Sequence, residues 1–352
     1  MSTTAVERAA PGGAARARRG RVSGLGLLVL VLLAATAVSL AVGARALGPG
    51  EVWRGLFAAP DGDRHLTDIR LIVQTVRVPR TVLAVVAGVA LGAAGALIQG
   101  FTRNPVADTG LLGVNAGASF AVVTSIAAFG LTDPFQYVWF AFLGAGAAGV
   151  VVFGLSSIGR GAGNPLTLAL AGQGVTVFLA AMTTAVALTD VKSLNALRFW
   201  NSGSVAGVGF GVIGPVSVFV VAGLVLALTV LPSLNLLDLG DDVARGLGVD
   251  TGLIRTAGIV AVTLLAGAAT AACGPIAFLG LMVAHVARYL TGPDYRWLVP
   301  YAGLLGAVIL LVCDIVGRLV VRPGELDAGV VVSLLGAPFF AILVWRGKFR
   351  SA

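Results

Sequence analysis

Long apolar runs broken by short polar turns dominate the chain. They lie near residues 24–44, 78–99, 111–130, 135–158, 165–189, 208–231, 253–273, 275–290, 298–320 and 328–345. At a rise of about 1.5 Å per residue, about 20 apolar residues cross a hydrocarbon core roughly 30 Å thick. The pattern predicts an all-α, polytopic membrane protein with about ten transmembrane helices. A single transmembrane domain is expected over residues 23–346, with a basic tail over 1–22 and a short tail over 347–352. Only Gly274 and Pro275 separate the seventh and eighth runs, whose combined length is too great for one crossing.

Composition strengthens this reading. Of 352 residues, 57% are hydrophobic and 11% charged, where a soluble domain carries about 25% charged residues. Gly numbers 49 and aromatics make up only 7%, a balance suited to helices packed backbone to backbone through small faces. Gly88 and Gly92, and Gly113 and Gly117, have the four-residue spacing of such faces. The net charge of +8 does not point to nucleic acid, because the arginines are dispersed between apolar runs and form no basic face. Cys273 and Cys313 sit in apolar runs without metal-ligand spacing and read as small buried side chains.

Residues 1–22 carry Arg8, Arg16, Arg18, Arg19 and Arg21 against Glu7, and read as a disordered cytoplasmic tail. A signal peptide or an organelle transit peptide is the rival, since Ala44-Arg45-Ala46 imitates a cleavage site. The run from Leu25 to Val42 is long for a signal core and favours a retained first helix. With the amino terminus inside, ten spans also bring Arg346, Lys348 and Arg350 inside, and inner turns and tails hold a modest excess of basic residues. The outer loop from Gly48 to Arg70 reads as polar and turn-rich, and its His65 as a solvated side chain.

The stretch from Arg77 to Ser119 carries the strongest motif. Two arginines flank Pro79, an apolar run follows from Val82 to Ile98, and a polar elbow from Gln99 to Asp108 precedes the next run at Leu111. This segment resembles the membrane subunit of bacterial ABC importers for iron siderophores, haem and cobalamin, the type II permease family. There an R-L-P-R helix leads through G-A-x-x-Q to R-N-P-L-A-D-P-x-L-L-G. Arg77, Pro79, Arg80, Gly95, Ala96, Gln99, Arg103, Asn104, Pro105, Ala107, Asp108, Leu111, Leu112 and Gly113 match, while Val78, Val106 and Thr109 depart. The resemblance implies that Arg77, Arg80 and Arg318 lie at the outer mouth and meet acidic residues of a soluble binding protein. Arginines snorkelling at the interface are the alternative. In the loop from Asp190 to Gly207, Trp200, Gly203 and Ser204 match a family W-x-x-G-S, with an interfacial anchor as the other reading of Trp200.

Residues 234–252, LNLLDLGDDVARGLGVDTG, are too polar and glycine-rich to cross lipid. Val243 and Leu247 share one face of a short helix, Asp241 or Asp242 is a natural N-cap, and Gly246 or Gly248 a natural stop. Two short helical pieces on the cytoplasmic surface are expected. The resemblance extends here through Leu239, Gly240, Ala244, Leu247, Gly248 and Val249, and implies the coupling helices that seat in a groove on the ATPase subunit. A helix resting on headgroups would carry a basic polar face, whereas this one is acidic apart from Arg245.

The eighth run, GPIAFLGLMVAHVARYL, resembles a second family motif through Gly274, Pro275, Ile276, Phe278, Gly280, Leu281, His285 and Arg288. Ala284 stands where the family usually has proline, so this helix keeps a backbone donor and is expected to bend less. For His285, beside Arg288, a structural hydrogen bond is expected in preference to a proton relay. Asp314 and Arg318 lie four apart on one helix face. An intramembrane carboxylate is a functional candidate, and pairing with Arg318 is the structural alternative. In the outer turn that follows, Glu325, Gly329, Gly336 and Pro338 fit the family, and Asp327 replaces a usual proline.

Enzyme chemistry finds no foothold. Lysine occurs only at 192 and 348, and neither follows a glycine-rich phosphate loop. The chain is therefore expected to be a permease without a cofactor, in the bacterial inner membrane. Two copies of a separate ATPase, a second permease (identical or a sister chain) and a substrate-binding protein are its expected partners. Ferric siderophore is the first solute class and haem or cobalamin the second. A proton-coupled carrier using Asp314 and His285 is the competing class.

Overall fold

The computed structural model describes residues 12–43, 46–58, 63–158, 165–322 and 324–345. Fourteen α-helices and no strand occur among the described residues. They are α1 (Gly12–Ala41), α2 (Pro49–Phe57), α3 (Arg64–Leu71), α4 (Val78–Thr102), α5 (Val114–Phe129), α6 (Pro134–Ser156), α7 (Pro165–Ala187), α8 (Val191–Asn201), α9 (Phe210–Leu237), α10 (Asp241–Gly246), α11 (Thr251–Cys273), α12 (Leu279–Thr291), α13 (Tyr295–Val320) and α14 (Ala328–Trp345). Eight helices among the described residues are long and apolar enough to cross a membrane. The shorter α5 and α12, of 16 and 13 residues, occupy the third and eighth predicted runs.

Three sequence expectations are corrected. The tail over 1–22 is not disordered where it is described, because α1 already begins at Gly12; residues 1–11 and the tail over 347–352 lie outside the described residues. The loop from Gly48 to Arg70 holds α2 and α3, with Asp63 accepting from the His65 N–H at the start of α3. The second outer loop holds α8, capped by Asp190, whose carboxyl lies below its usual range because it accepts from the Ser193 N–H. Helices α2, α3 and α8 are short, and α3 and α8 begin at polar caps, which a hydropathy pattern does not register.

Helix α4 lies at the centre. In its apolar window 78% of residues are buried, against 11% in α1, which lies on the rim of the bundle. A π-helical turn over Ile72–Arg77 joins α3 to α4. Pro79 explains the turn: it has no N–H, and its ring would meet the carbonyl four residues back in a regular helix. Widening the turn moves that carbonyl aside, and the Val78 N–H donates to Val73 O, five residues earlier.

Small residues set how closely α4 meets its neighbours. A Cβ on Gly92 would lie 2.1 Å from Ala302 O, and one on Gly88 would lie 2.5 Å from Ala307 Cα, both in α13. One on Gly95 would lie 2.4 Å from Gly280 Cα in α12. Between α5 and α6, a Cβ on Gly117 would lie 2.3 Å from Gly144 O. The helices therefore touch backbone to backbone, as membrane helices with small-residue faces do.

Between α11 and α12 the chain is not helical. Gly274 has φ 73°, and Phe278, which precedes α12, has φ 64°. The FWNSGS segment packs into this break: the Ser204 N–H donates to Cys273 O at 2.7 Å, and the Gly329 N–H to Gly203 O at 2.7 Å. Trp200 is only 8% exposed, so it is a buried wedge beside the break and not an interfacial anchor.

The close approach of α4 and α13 makes a direct prediction. Gly92→Leu is expected to destabilise the detergent-solubilised protein by about 3 kcal/mol or more, through overpacking against backbone. Gly146 has open space where a Cβ would sit, so Gly146→Leu is expected to shift stability by less than about 0.5 kcal/mol. Thermal unfolding midpoints of the two variants check this.

Candidate functional site

The polar residues gather at the two ends of the bundle. At the inner end α4 stops at Thr102, and Arg103 takes a left-handed conformation, φ 46°. The Asn104 N–H donates back to Gln99 O, and the Asn104 side chain accepts from the Val106 N–H at 3.1 Å. Pro105 and Asp108 then lead into a 3-10 turn over Thr109–Leu112. The backbone thus reverses within a few residues, and the Arg103 side chain is aimed at the end of α9. Gln99 is buried, with its amide donating to Leu281 O at 3.4 Å.

Segment 234–252 folds as the end of α9, the single short helix α10 and the cap of α11. The expected Asp241 or Asp242 N-cap is corrected: Gly240 is the N-cap, at φ 113°, and Asp241 is the first helical residue. Its carboxylate is used elsewhere. It accepts from Arg103, and from Arg255 of α11 at 2.8 and 3.0 Å. Arg103 also donates to Leu237 O, the last residue of α9. The acidic face is corrected in part too, since Asp241 is neutralised from within, while Asp242 and Asp250 remain exposed. Ala244 is buried against the bundle, whereas Leu239, Val243 and Leu247 are 62%, 48% and 59% exposed. Gly248, at φ 83°, ends the helix as expected.

Behind this segment the Asn235 amide donates to Asp294 at 2.8 Å, and its oxygen accepts from the Tyr295 N–H at 2.9 Å. Arg288 donates to the Tyr295 hydroxyl at 3.3 Å and lies 5.7 Å from the ring centre. Burial pushes the Asp238 carboxyl up, against the opposing pull of Arg288, Arg103 and the Tyr295 hydroxyl. His285 departs from expectation: its ring meets Phe339 of α14 edge-on at 6.3 Å, and no hydrogen bond from it is found among the described residues.

At the outer end Asp314 of α13 is fully buried. One oxygen accepts from Arg80 of α4 at 2.9 and 2.7 Å, and the other from Arg318. Arg80 also pairs with Glu325 at 2.5 Å. Arg318 donates to Ser39 O and Val42 O, each at 2.9 Å, and Arg77 to Leu40 O and Ala41 O at 2.6 and 2.8 Å. These carbonyls close α1 and have no partner within the helix, so they are natural acceptors for cations. The expectation of exposed outer arginines is therefore corrected. Arg77, Arg80 and Arg318 are 4%, 7% and 2% exposed, because their partners come from the same chain. A cavity of about 370 Å³ also opens in the outer half, lined by Val122, Tyr137, Trp200, Ser204, Cys273 and Asp327 among others.

The FecCD transport family profile matches residues 30–346. The chain belongs to this family. It is 42% identical over 319 residues to the ferric enterobactin transport system permease protein FepD of Escherichia coli, covering 91% of this chain and 94% of that one. It is 36% identical over 320 residues to the probable siderophore transport system permease protein YfiZ of Bacillus subtilis, covering 91% and 95%. A solved structure described as a metal-chelate type ABC transporter in an inward-facing conformation superposes with a TM-score of 0.80 at 26% identity, covering 92% of this chain and 99% of that one.

As a FecCD member the chain is a permease subunit of an ABC importer and a multi-pass protein of the bacterial inner membrane. It is not an enzyme, and ATP hydrolysis resides on a separate subunit. The family motifs fall where the chain turns, at the elbow after α4 and the break before α12, with Gly274 and Pro275 inside that break. Sequence reasoning missed Arg255 as a partner of Asp241 and Glu325 as a partner of Arg80. Neither pairing has a local spacing that could reveal it, whereas Asp314 and Arg318, one helical turn apart, were visible as a pair.

Removing the central carboxylate is the sharpest test of the outer cluster. Asp314→Asn leaves the buried Arg318 guanidinium without a carboxylate and Arg80 with Glu325 alone, and is expected to cost about 3–5 kcal/mol of stability. The double variant with Arg318→Met is expected to recover part of that loss. Unfolding of purified protein, followed for the single and double variants, measures both.

Proposed function

We propose that the chain is the gate through which an ABC importer brings a ferric siderophore across the inner membrane. Its partners in this reading are two ATPase subunits, a second permease that is an identical or sister chain, and a soluble binding protein on the outer side. The observation that supports it most is the exposed apolar ridge of Leu239, Val243 and Leu247, on a segment clamped to the ends of α4, α9 and α11. Such a ridge suits a groove on a partner better than an anionic lipid surface, because the single exposed arginine beside it, Arg245, stands next to Asp242. The siderophore class rests on the relatives, since FepD and YfiZ are named for siderophore uptake. Haem is the second reading, from the 35% identical hemin transport system permease protein HmuU of Yersinia pestis.

The docking role expected of Arg77, Arg80 and Arg318 becomes an indirect one. They hold the outer ends of α1, α4 and α13 in register beneath the face a binding protein would meet. A proton-coupled mechanism loses its main support, since both oxygens of Asp314 are taken up by arginines.

Vesicle uptake tests the reading. The chain reconstituted with its ATPase and binding protein is expected to accumulate ferric enterobactin only when ATP is supplied on the ATPase side. Uptake driven by a proton gradient with the chain alone would overturn the proposal, and selective uptake of haem would move it to the second solute class. Leu247→Asp is expected to weaken association with the ATPase at least about tenfold, as loss of an apolar anchor at an interface core does. Co-purification at matched expression measures that loss.

A further inference from the structure

A single carboxylate, that of Asp241, joins the coupling segment to three membrane helices. It accepts from Arg103, the residue that ends α4, and from Arg255, in the second turn of α11, while Arg103 also holds the last carbonyl of α9. The three charged side chains are only 17–34% exposed, so solvent screens these pairs less than surface ones. The rest of α10 is held weakly by contrast. Its second acid and its arginine are exposed and 3.6 Å apart, and its apolar ridge faces outward.

We propose that Asp241 is the positioning residue that transmits movement of the coupling segment to α4 and α11. This rests on the reading of residues 234–252 as the ATPase contact. Force on Leu239, Val243 and Leu247 enters the bundle through the flexible backbone at Gly240 and Gly248, both at positive φ, through the small buried contact of Ala244, or through the Asp241 clasp. The clasp is the stiffer route, because charge-assisted hydrogen bonds fix distance and direction while a glycine joint fixes neither. From Arg103 the movement enters α4. That helix is locked to α13 and α12 through Gly88, Gly92 and Gly95, and its far end is held by Arg80 on Asp314. A displacement at the inner clasp therefore reaches the outer cluster through one rigid element. Asp241 touches no solute in this scheme; it sets how much of each hydrolysis event becomes movement of the gate.

The readout is solute moved per ATP hydrolysed, in the full complex with ATPase and binding protein, using ferric enterobactin as probe. Asp241→Asn keeps the side-chain shape and removes the charge. It is expected to lower the solute moved per ATP hydrolysed at least about fivefold, the lower end of typical coupling energies between sites, in complexes that still assemble with the ATPase. Asp241→Glu retains the charge and is expected to restore most of the ratio. Arg255→Gln, which leaves the Arg103 link in place, is expected to lower it less. A merely structural role would lower transport and hydrolysis together, or abolish assembly with the ATPase, and either result overturns the proposal. An unchanged ratio in Asp241→Asn, beside normal wild-type transport, overturns the clasp alone. A wild-type complex that does not assemble or does not move the probe with ATP sinks the functional reading, and the clasp with it.

Discussion

Lipid tails are as apolar as leucine, so burial of leucines cannot pull helices together inside a bilayer, and contact between backbones has to do so instead. In this chain that contact centres on α4. Gly88, Gly92 and Gly95 present no Cβ to α13 and α12, whose carbonyl and Cα atoms occupy the space a side chain would fill. Dispersion forces are weak per atom pair and accumulate only when surfaces match closely. A helix held along its length by backbone contact cannot bend or slide without losing many contacts together. It moves as one body or not at all.

The buried charges make sense against that rigid rod. Arg80 and Asp314 stand at its outer end in a dry environment where an unpaired ion is costly. Each is compensated, and Arg318 and Arg77 complete the cluster by occupying the open carbonyls of α1. At the inner end the arrangement repeats with the signs distributed differently: two arginines share one carboxylate, on a segment that is otherwise loosely attached. The outer cluster gathers rim helix, rod and α13 into one block. The inner one is the single strong tie between that block and an exposed apolar ridge.

Much of this was legible in sequence because the bilayer writes its demands locally. About ten spans followed from runs of apolar residues, and the elbow, expected from Gln99 to Asp108, from polar and proline residues, although α4 continues to Thr102 before it turns. The i to i+4 spacing of Asp314 and Arg318 offered one ion pair as one of two readings, and the pair is present. What stayed hidden was of two kinds. Helices α2, α3 and α8 are short and amphipathic, α3 and α8 beginning at the polar caps Asp63 and Asp190, and their composition reads as loop. The partners of Arg80 and Asp241 are non-local: Arg80 and Asp314 are 234 positions apart. No periodicity encodes that meeting, so an arginine already satisfied from within reads the same as one waiting for a partner.

That distinction bears on where the driving force enters. A carrier powered by protons needs an acid whose charge changes as the gate moves, and whose partners leave it free to do so. Asp314 has both oxygens committed to guanidinium groups, and each of those is committed again, to Glu325 or to the end of α1. The carboxylate is thereby held between two helices and acts as a fixed pin. His285, packed against Phe339, has no carboxylate within reach of a relay among the described residues. With the outer end pinned, the freedom that remains lies below, where glycines flank α10 and one carboxylate ties it to the rod. Work done on the chain has its natural point of entry there, from a partner that presses on the exposed leucines.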